Sequence, residues 1–304
     1  MPIKRIIGGK HILADLTLPY GKVVHDYLEE EPKLNIIDWK IREDPHSTDF
    51  SKRENVLKAI SMPIFSPSFS NTDKFEMHDR EHYIFRYKTT PEAIAKAIPE
   101  PLIQNEENEV VIIFTKTDGS GLANYSKCEM FIPCQYKGEH VLFEVQGYAD
   151  SSASRTTGRE VLGQPLKYGN PNVEIKGDTI VAKLEYSESE VVTASMAYNY
   201  GKINSKTAEN FLRIPYVNLK LIPGSSGKAK IAYLTKFQYE DIKITESYFA
   251  PADLELLPHI NAPFSDFPVL EVIRGSFIKA DLSLGDCQVL HDYVKNKSND
   301  SLII

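Results

Sequence analysis

His78 and His82 stand four residues apart on either side of Arg80. On a helix that spacing would bring two imidazoles to one side, as a metal site needs. No third ligand accompanies them, and the segment reads as the approach to a strand, so both are expected to be satisfied polar or surface side chains. Cys128, Cys134 and Cys287 match no zinc spacing, and an odd count makes no disulfide framework. They read as free thiols of a reducing cytoplasm. The loop Gly224-Ser-Ser-Gly227 lacks the following lysine and hydroxyl residue of a phosphate cradle and reads as a hairpin turn. Glu129, close to Lys127, would bring a carboxylate to that lysine if the two side chains share a face. The formal net charge of -7 argues against nonspecific binding of nucleic acid, which needs a basic face, but leaves room for a small anion held by a local cationic pocket.

The elements that would position these groups are mostly strands. Segments 82–87, 110–115, 141–148, 179–186, 191–198, 213–222, 230–234 and 237–244 are rich in β-branched and aromatic residues, with Asn-Pro, Lys-Gly-Asp and Pro-Gly-Ser-Ser-Gly clusters between them. One helix is well signalled: Thr90 can cap it, Pro91 suits its first turn, Ala93, Ile94 and Ala97 form one face, and Pro99 stops it. Many strands and few short helices predict a mainly β (α+β) fold, an antiparallel sheet closed or nearly closed into a β-barrel that could enclose a ligand. With 42% hydrophobic residues over 304 positions, a core of useful size can be buried. The densest apolar run, 110–114, is far short of the ~20 residues of a spanning helix, and no signal peptide is visible, so no membrane partner is expected.

The chain also repeats itself. Residues 7–28 and 273–294 align without a gap at an offset of 266, with eleven of 22 positions identical, among them Ala14-Asp15-Leu16 with Ala280-Asp281-Leu282 and His25-Asp26-Tyr27 with His291-Asp292-Tyr293. Apolar alternation (Ile12, Ala14, Leu16, Leu18) followed by helical spacing (Val23, Val24, Tyr27, Leu28) predicts one strand and one helix per copy. Such a unit cannot bury its apolar face alone and must pack on the main domain, a neighbouring subunit or another copy of itself. Residues 29–52, acidic at first and then polar with Pro32 and Pro45, read as a connector in which 34–39, ending in the single tryptophan Trp39, is pinned to a surface. The main domain is then 53–304.

Several segments of that domain, in order, resemble the acetoacetate decarboxylase family: Pro63-Ile-Phe-Ser-Pro-Ser-Phe69, Asp79-Arg80-Glu81, Ile98-Pro-Glu-Pro-Leu102, Asp118-Gly-Ser-Gly-Leu122 with Tyr125, Gly158-Arg-Glu160 followed by Pro165, Gly169 and Pro171, then 216–223 and Ala280-Asp281-Leu282. The resemblance covers about 55–296 and implies a barrel with an internal site that often oligomerises. It implies a carbon–carbon lyase that decarboxylates a small β-keto or oxo-acid through a lysine imine, with no metal or organic cofactor. The amine must be neutral to attack, and its ordinary pKa is about 10.4; acetoacetate decarboxylase is itself the standard example of a lysine made neutral by a neighbouring cation.

Carried over position by position, the family's imine-forming lysine falls on Leu166, which cannot form one, and its second lysine on Lys167. One family carboxylate falls on Ile112 and another on Lys127, while Arg80 keeps the arginine that faces the site. Three readings follow. The amine has moved to Lys127, with Lys167 or Arg80 lowering its pKa; or Lys167 forms the imine after a one-residue backbone shift, since successive strand residues face opposite sides; or the pocket no longer makes an imine and is a noncatalytic barrel in which Arg80 and Lys127 hold a small oxo-acid, ketone or apolar ligand. A third class of role is assembly, driven by the duplicated unit. The partners expected are a small oxo-acid or ketone and other copies of the chain, in the cytoplasm.

Overall fold

The computed structural model describes residues 3–7, 10–14, 49–69, 75–118 and 122–295. The chain divides into two compact units, Met1–Ser68 and Phe69–Ile304. In the first, β1 (Ile3–Ile7) and β2 (Lys10–Ala14) form an antiparallel hairpin with Ile7 opposite Lys10. A single helical turn, α1 (Arg53–Val56), follows, and Phe50 meets Phe65 edge to face at 5.3 Å. The remainder of the front copy and most of the connector, Trp39 included, lie outside the described residues. The predicted start of the main domain at 53 falls inside this first unit.

The second unit is built from β3 (Glu76–Lys88), β4 (Ile103–Gln104), β5 (Glu109–Asp118), β6 (Tyr125–Tyr136), β7 (Glu139–Ala149), β8 (Leu166–Tyr168), β9 (Asn170–Lys176), β10 (Thr179–Tyr186) and β11 (Ser189–Ala197). It continues with β12 (Gly201–Lys202), β13 (Tyr216–Pro223), β14 (Ala229–Phe237), β15 (Tyr239–Ala250), β16 (Ala252–Leu256), β17 (Glu271–Leu284) and β18 (Gln288–Asp292). A twelve-stranded sheet runs β12-β15-β17-β3-β5-β6-β7-β13-β14-β18, with β4 on β6 and β8 on β7, and a second sheet runs β16-β11-β10-β9. Pairing is antiparallel except where β13 and β8 lie parallel to β7. The mainly β expectation therefore holds, but neither sheet closes into a barrel. The large sheet ends on the two-residue β12 and the five-residue β18, which do not pair with each other.

The central strands are buried on both faces, so neighbours in sequence belong to different cores. Phe85, Ile112 and Met130 pack in one cluster with Ile180, Leu184 and Tyr248. Ile84, Ile113 and Phe131 pack in the other with Tyr216, Phe237 and Tyr239. The site lies on the second face. The predicted helix is α2 (Pro91–Ala97): Thr90 Oγ1 accepts from Ala93 N at 3.3 Å and Ile94 is buried. Two helices had no strong sequence signal, α3 (Ser152–Thr157), which runs into a π-helical turn Gly158–Leu162, and α4 (Ser205–Leu212), capped by Asn204. The back copy of the repeat departs from its predicted strand–helix form. Its second half is the strand β18, because β14 offers a free edge whose backbone groups pair with Gln288–Asp292.

Candidate active site

Arg80 reaches the site through a bulge. Between His78 and Glu81 the register of β3 against β5 shifts, and Asp79 adopts a φ of 50°. Asp281 holds the bulge, its Oδ1 accepting from Asp79 N at 3.0 Å. The Arg80 guanidinium is 2% exposed and donates to Tyr125 OH (2.7 Å), Thr117 Oγ1 (2.9 Å), Thr115 Oγ1 (3.4 Å) and His82 Nε2 (3.3 Å). Its carbon stands 5.6 Å from the Tyr239 ring centre and 5.7 Å from that of Tyr125. Among the described residues no carboxylate lies within ion-pair distance of it. Burial works against the Arg80 charge, but Tyr125, Tyr239 and Glu129 outweigh it and raise its pKa. Burial first, and Arg80 second, push His82 well below the usual histidine range, so this imidazole is neutral. His78 is exposed beside Asp281, and the two histidines share no site.

Lys127 and Glu129 are two apart on β6 and do share a face. Lys127 Nζ donates to Gln164 Oε1 at 2.9 Å and to Glu129 Oε1 at 3.4 Å. The Gln164 amide then donates from Nε2 to Glu129 Oε1 at 2.9 Å and to Glu144 Oε2 at 3.0 Å. All four side chains are buried. A second bulge makes this possible. On β7, Gln146 faces Met130 but Glu144 faces Phe131, so Val145 is extra and Glu144 turns to the face of Gly147. Gly163, at φ 79°, sets Gln164 after the π-helical turn, whose Leu162 carbonyl accepts from Thr235 and Asn218. Burial, and then the charge of Glu129, raise Glu144 well above the usual carboxylate range. Burial works to raise Tyr125, but Arg80 and Lys127 outweigh it and its pKa is lowered.

Leu166 is buried on the same side. A β-carbon at Gly147 would stand 2.7 Å from its Cδ2, and one at Gly158 would stand 2.5 Å from its Cδ1. Lys167 faces away, its Nζ donating to the Asn261 carbonyl at 2.6 Å and lying 5.6 Å from the Tyr186 ring centre. The structure thus brings Lys127 and Arg80 together and leaves Lys167 out, with no backbone shift that would turn it inward. Ile112 is also outside the site. It packs beside Phe85 and Met130 in the other core, so a carboxylate there would not reach Lys127. Two site residues were missed by sequence reasoning. Gln164 had only its place inside the Gly-Arg-Glu…Pro block as a signal, and Glu144 had none, because a bulge reverses the parity of its strand.

A cavity of about 40 Å³ opens between these groups, lined by Arg80, Tyr125, Lys127, Gln164 and Tyr239, with Met77, Leu162 and Phe237 among its apolar walls. A family model of acetoacetate decarboxylase matches residues 61–294. The acetoacetate decarboxylase of Clostridium botulinum is 33% identical over 244 residues, covering 80% of this chain and 99% of that protein. Acetoacetate decarboxylase 3 of Mesorhizobium japonicum is 34% identical over 239 residues, covering 79% of this chain and 93% of that protein.

The chain belongs to the acetoacetate decarboxylase family.

A solved acetoacetate decarboxylase superposes with a TM-score of 0.77 at 31% identity, covering 80% of this chain and 99% of the other. That of Legionella pneumophila superposes at 0.73 and 27%, covering 81% and 99%. The enduracididine biosynthesis enzyme MppR, solved in complex with pyruvate, shares the fold at 0.67 with 15% identity. This acetoacetate decarboxylase relative therefore keeps the family's fold over nearly the whole length of its relatives. Among the described residues no helix is long and apolar enough to cross a membrane.

Proposed function

We propose that the chain is a carbon–carbon lyase acting on a small β-keto or oxo-acid, with Lys127 as the imine-forming amine and Arg80 as the holder of the substrate carboxylate. The observation that carries this reading is that the two buried cations line one small cavity, each within 6 Å of the centre of the Tyr125 ring. A water-sized group needs roughly 10–15 Å³, so the cavity suits a ligand of a few heavy atoms.

The steps balance with this chain's own groups and solvent water. Lys127 gives a proton to Glu129, which already accepts its hydrogen bond. The neutral amine attacks the ketone carbon, Glu129 returns the proton to the departing hydroxyl, and loss of water leaves a protonated imine. The bond to the carboxylate carbon breaks, its electron pair moves into the imine to give an enamine, and carbon dioxide leaves. The enamine carbon takes up a proton from solvent water, the one proton the overall reaction consumes, and water hydrolyses the imine, releasing the ketone and the protonated lysine. Neither a metal nor an organic cofactor is invoked.

Borohydride trapping tests it. The protein is incubated with acetoacetate or acetopyruvate, reduced, digested and read by mass spectrometry. An adduct on Lys127, absent in Lys127→Met, is expected. An adduct on Lys167 would overturn the assignment of the amine. Absence of any adduct would favour the second reading, a noncatalytic pocket for small acids, to which the Lys127–Glu129 ion pair and the leucine at 166 give some support.

A further inference from the structure

Lys127, Glu129, Gln164 and Glu144 form one buried chain of hydrogen bonds with one cation and two carboxyl groups. If both carboxyls were ionised, the chain would carry a net negative charge away from water, which is costly in a medium of low polarity. The two are not equivalent. Glu129 Oε1 accepts from both Lys127 and Gln164. Glu144 Oε2 accepts only from a neutral amide, and its Oε1 is buried with no hydrogen-bond partner among the described residues. The charged and titratable groups acting on it are Glu129 and Lys127 on β6, and it in turn bears on Tyr216 and Tyr239, which pack on the same face. A carboxyl with one neutral donor and one bare oxygen is where a shared proton resides.

We propose that Glu144 is protonated at neutral pH, that it fixes Gln164 beneath Lys127 as a neutral positioning residue, and that Arg80 is thereby, among the described residues, the one uncompensated charge at the cavity, which selects a monoanion. The upward direction of the Glu144 pKa agrees. With Lys127 and Glu129 neutralising each other, one carboxylate balances Arg80, whereas a second would be buried without a partner. The charge selection rests on the Lys127 cavity being the ligand site; the protonation of Glu144 does not.

The experiment is infrared spectroscopy on the full chain at pH 7 in water and heavy water, wild type against Glu144→Gln and Glu129→Gln. The expected result is a carbonyl stretch of a buried protonated carboxyl in the wild type, kept in Glu129→Gln and lost in Glu144→Gln. Its absence from the wild type, or its survival in Glu144→Gln, overturns the proposal. Should Glu144→Gln not fold, the wild-type band is followed with rising pH, and failure to see it at pH 7 is decisive alone. Calorimetry with propionate and malonate, three-carbon acids with one and two carboxylates, reads the charge selection, with isovalerate as the monoanion that matches malonate in size. Propionate is expected to bind at least ~10-fold more tightly. Equal or tighter binding of malonate overturns the selection, and binding of neither, with the infrared band present, overturns the cavity as a ligand site and the selection with it.

Discussion

With a leucine at 166 and a lysine at 127, the buried amine beside Arg80 stands on β6, facing side chains of β7 and the turn before β8. Because Leu166 is buried within reach of Gly147 and Glu129 lies on the same side, a lysine at 166 would place a second ammonium beside the first. Like charges disfavour ionisation, so Leu166→Lys is expected to let the amines react at lower pH, seen as more borohydride-trapped adduct at pH 6 than in the wild type. No gain would indicate that the two amines do not share the pocket. Glu144 gives a second prediction at this scale. Its ordinary pKa is 4.5 and the folded value lies above it. Between the two the folded chain binds the extra proton, so the stabilisation is complete below about 4.5 and is lost as pH rises toward the folded value, by at most ~1.4 kcal/mol per pH unit. Urea unfolding from pH 4.5 to 8 should show this downward slope in the wild type and a flatter one in Glu144→Gln; identical slopes would mean that Glu144 titrates normally. Arg80 and Lys127 could be picked out in the sequence because Arg80 stands inside the Asp79-Arg80-Glu81 motif and Lys127 follows Asp118-Gly-Ser-Gly-Leu122 and Tyr125 without a gap. Glu144 could not, since its orientation depends on one extra residue that no periodicity reports.

At the scale of elements, two bulges aim the site, one turning Arg80 inward on β3 and the other turning Glu144 inward on β7. The second depends on Gly147. A β-carbon there would stand 2.6 Å from Glu144 Oε1 and 2.7 Å from Leu166 Cδ2, closer than packed atoms approach. Gly147→Ala is therefore expected to cost ~1–3 kcal/mol, read as a lower urea midpoint at unchanged slope. Pairing it with Leu166→Ala makes room on one side, so the double variant should be more stable than the sum of the two changes predicts. Strict additivity would place the strain elsewhere. The strands themselves were legible from β-branched and aromatic runs, as was α2 from its cap and prolines. The helix α4 was not: its cue is little more than the Asn204 cap, and the strand read at 213–222 starts just beyond it, three residues before β13 begins. The order of the sheet, with β7 pairing with β13 and β8 in parallel, lies beyond local pattern altogether.

At the scale of the whole molecule, the sequence repeat meets a sheet that ends in an open edge. β18 pairs with β14, with Tyr233 opposite Asp292 and Leu234 opposite His291. Asp292 Oδ1 accepts from Val294 N and Lys295 N, Tyr293 N donates to the Ala232 carbonyl, and the Tyr293 hydroxyl donates to the Glu100 carbonyl. The side chains that fasten this edge are those that recur in the front copy as His25-Asp26-Tyr27, with Val289 recurring as Val23. Were residues 22–27 to take this edge on another molecule's β14 in place of that molecule's own β18, identical subunits would exchange strands. The back copy cannot be replaced throughout, because buried Ser276 and Phe277 of β17 correspond to Lys10 and His11. Exchange would therefore be confined to the second half, residues 22–27. Deleting residues 1–50 is expected to reduce the assembly by at least one subunit on a sizing column while the remaining chain stays folded, and Tyr27→Ala with Asp26→Ala should do the same without shortening the chain. If both variants elute as the intact protein does, the front copy has no part in assembly, and the likeness of the two segments reflects descent alone.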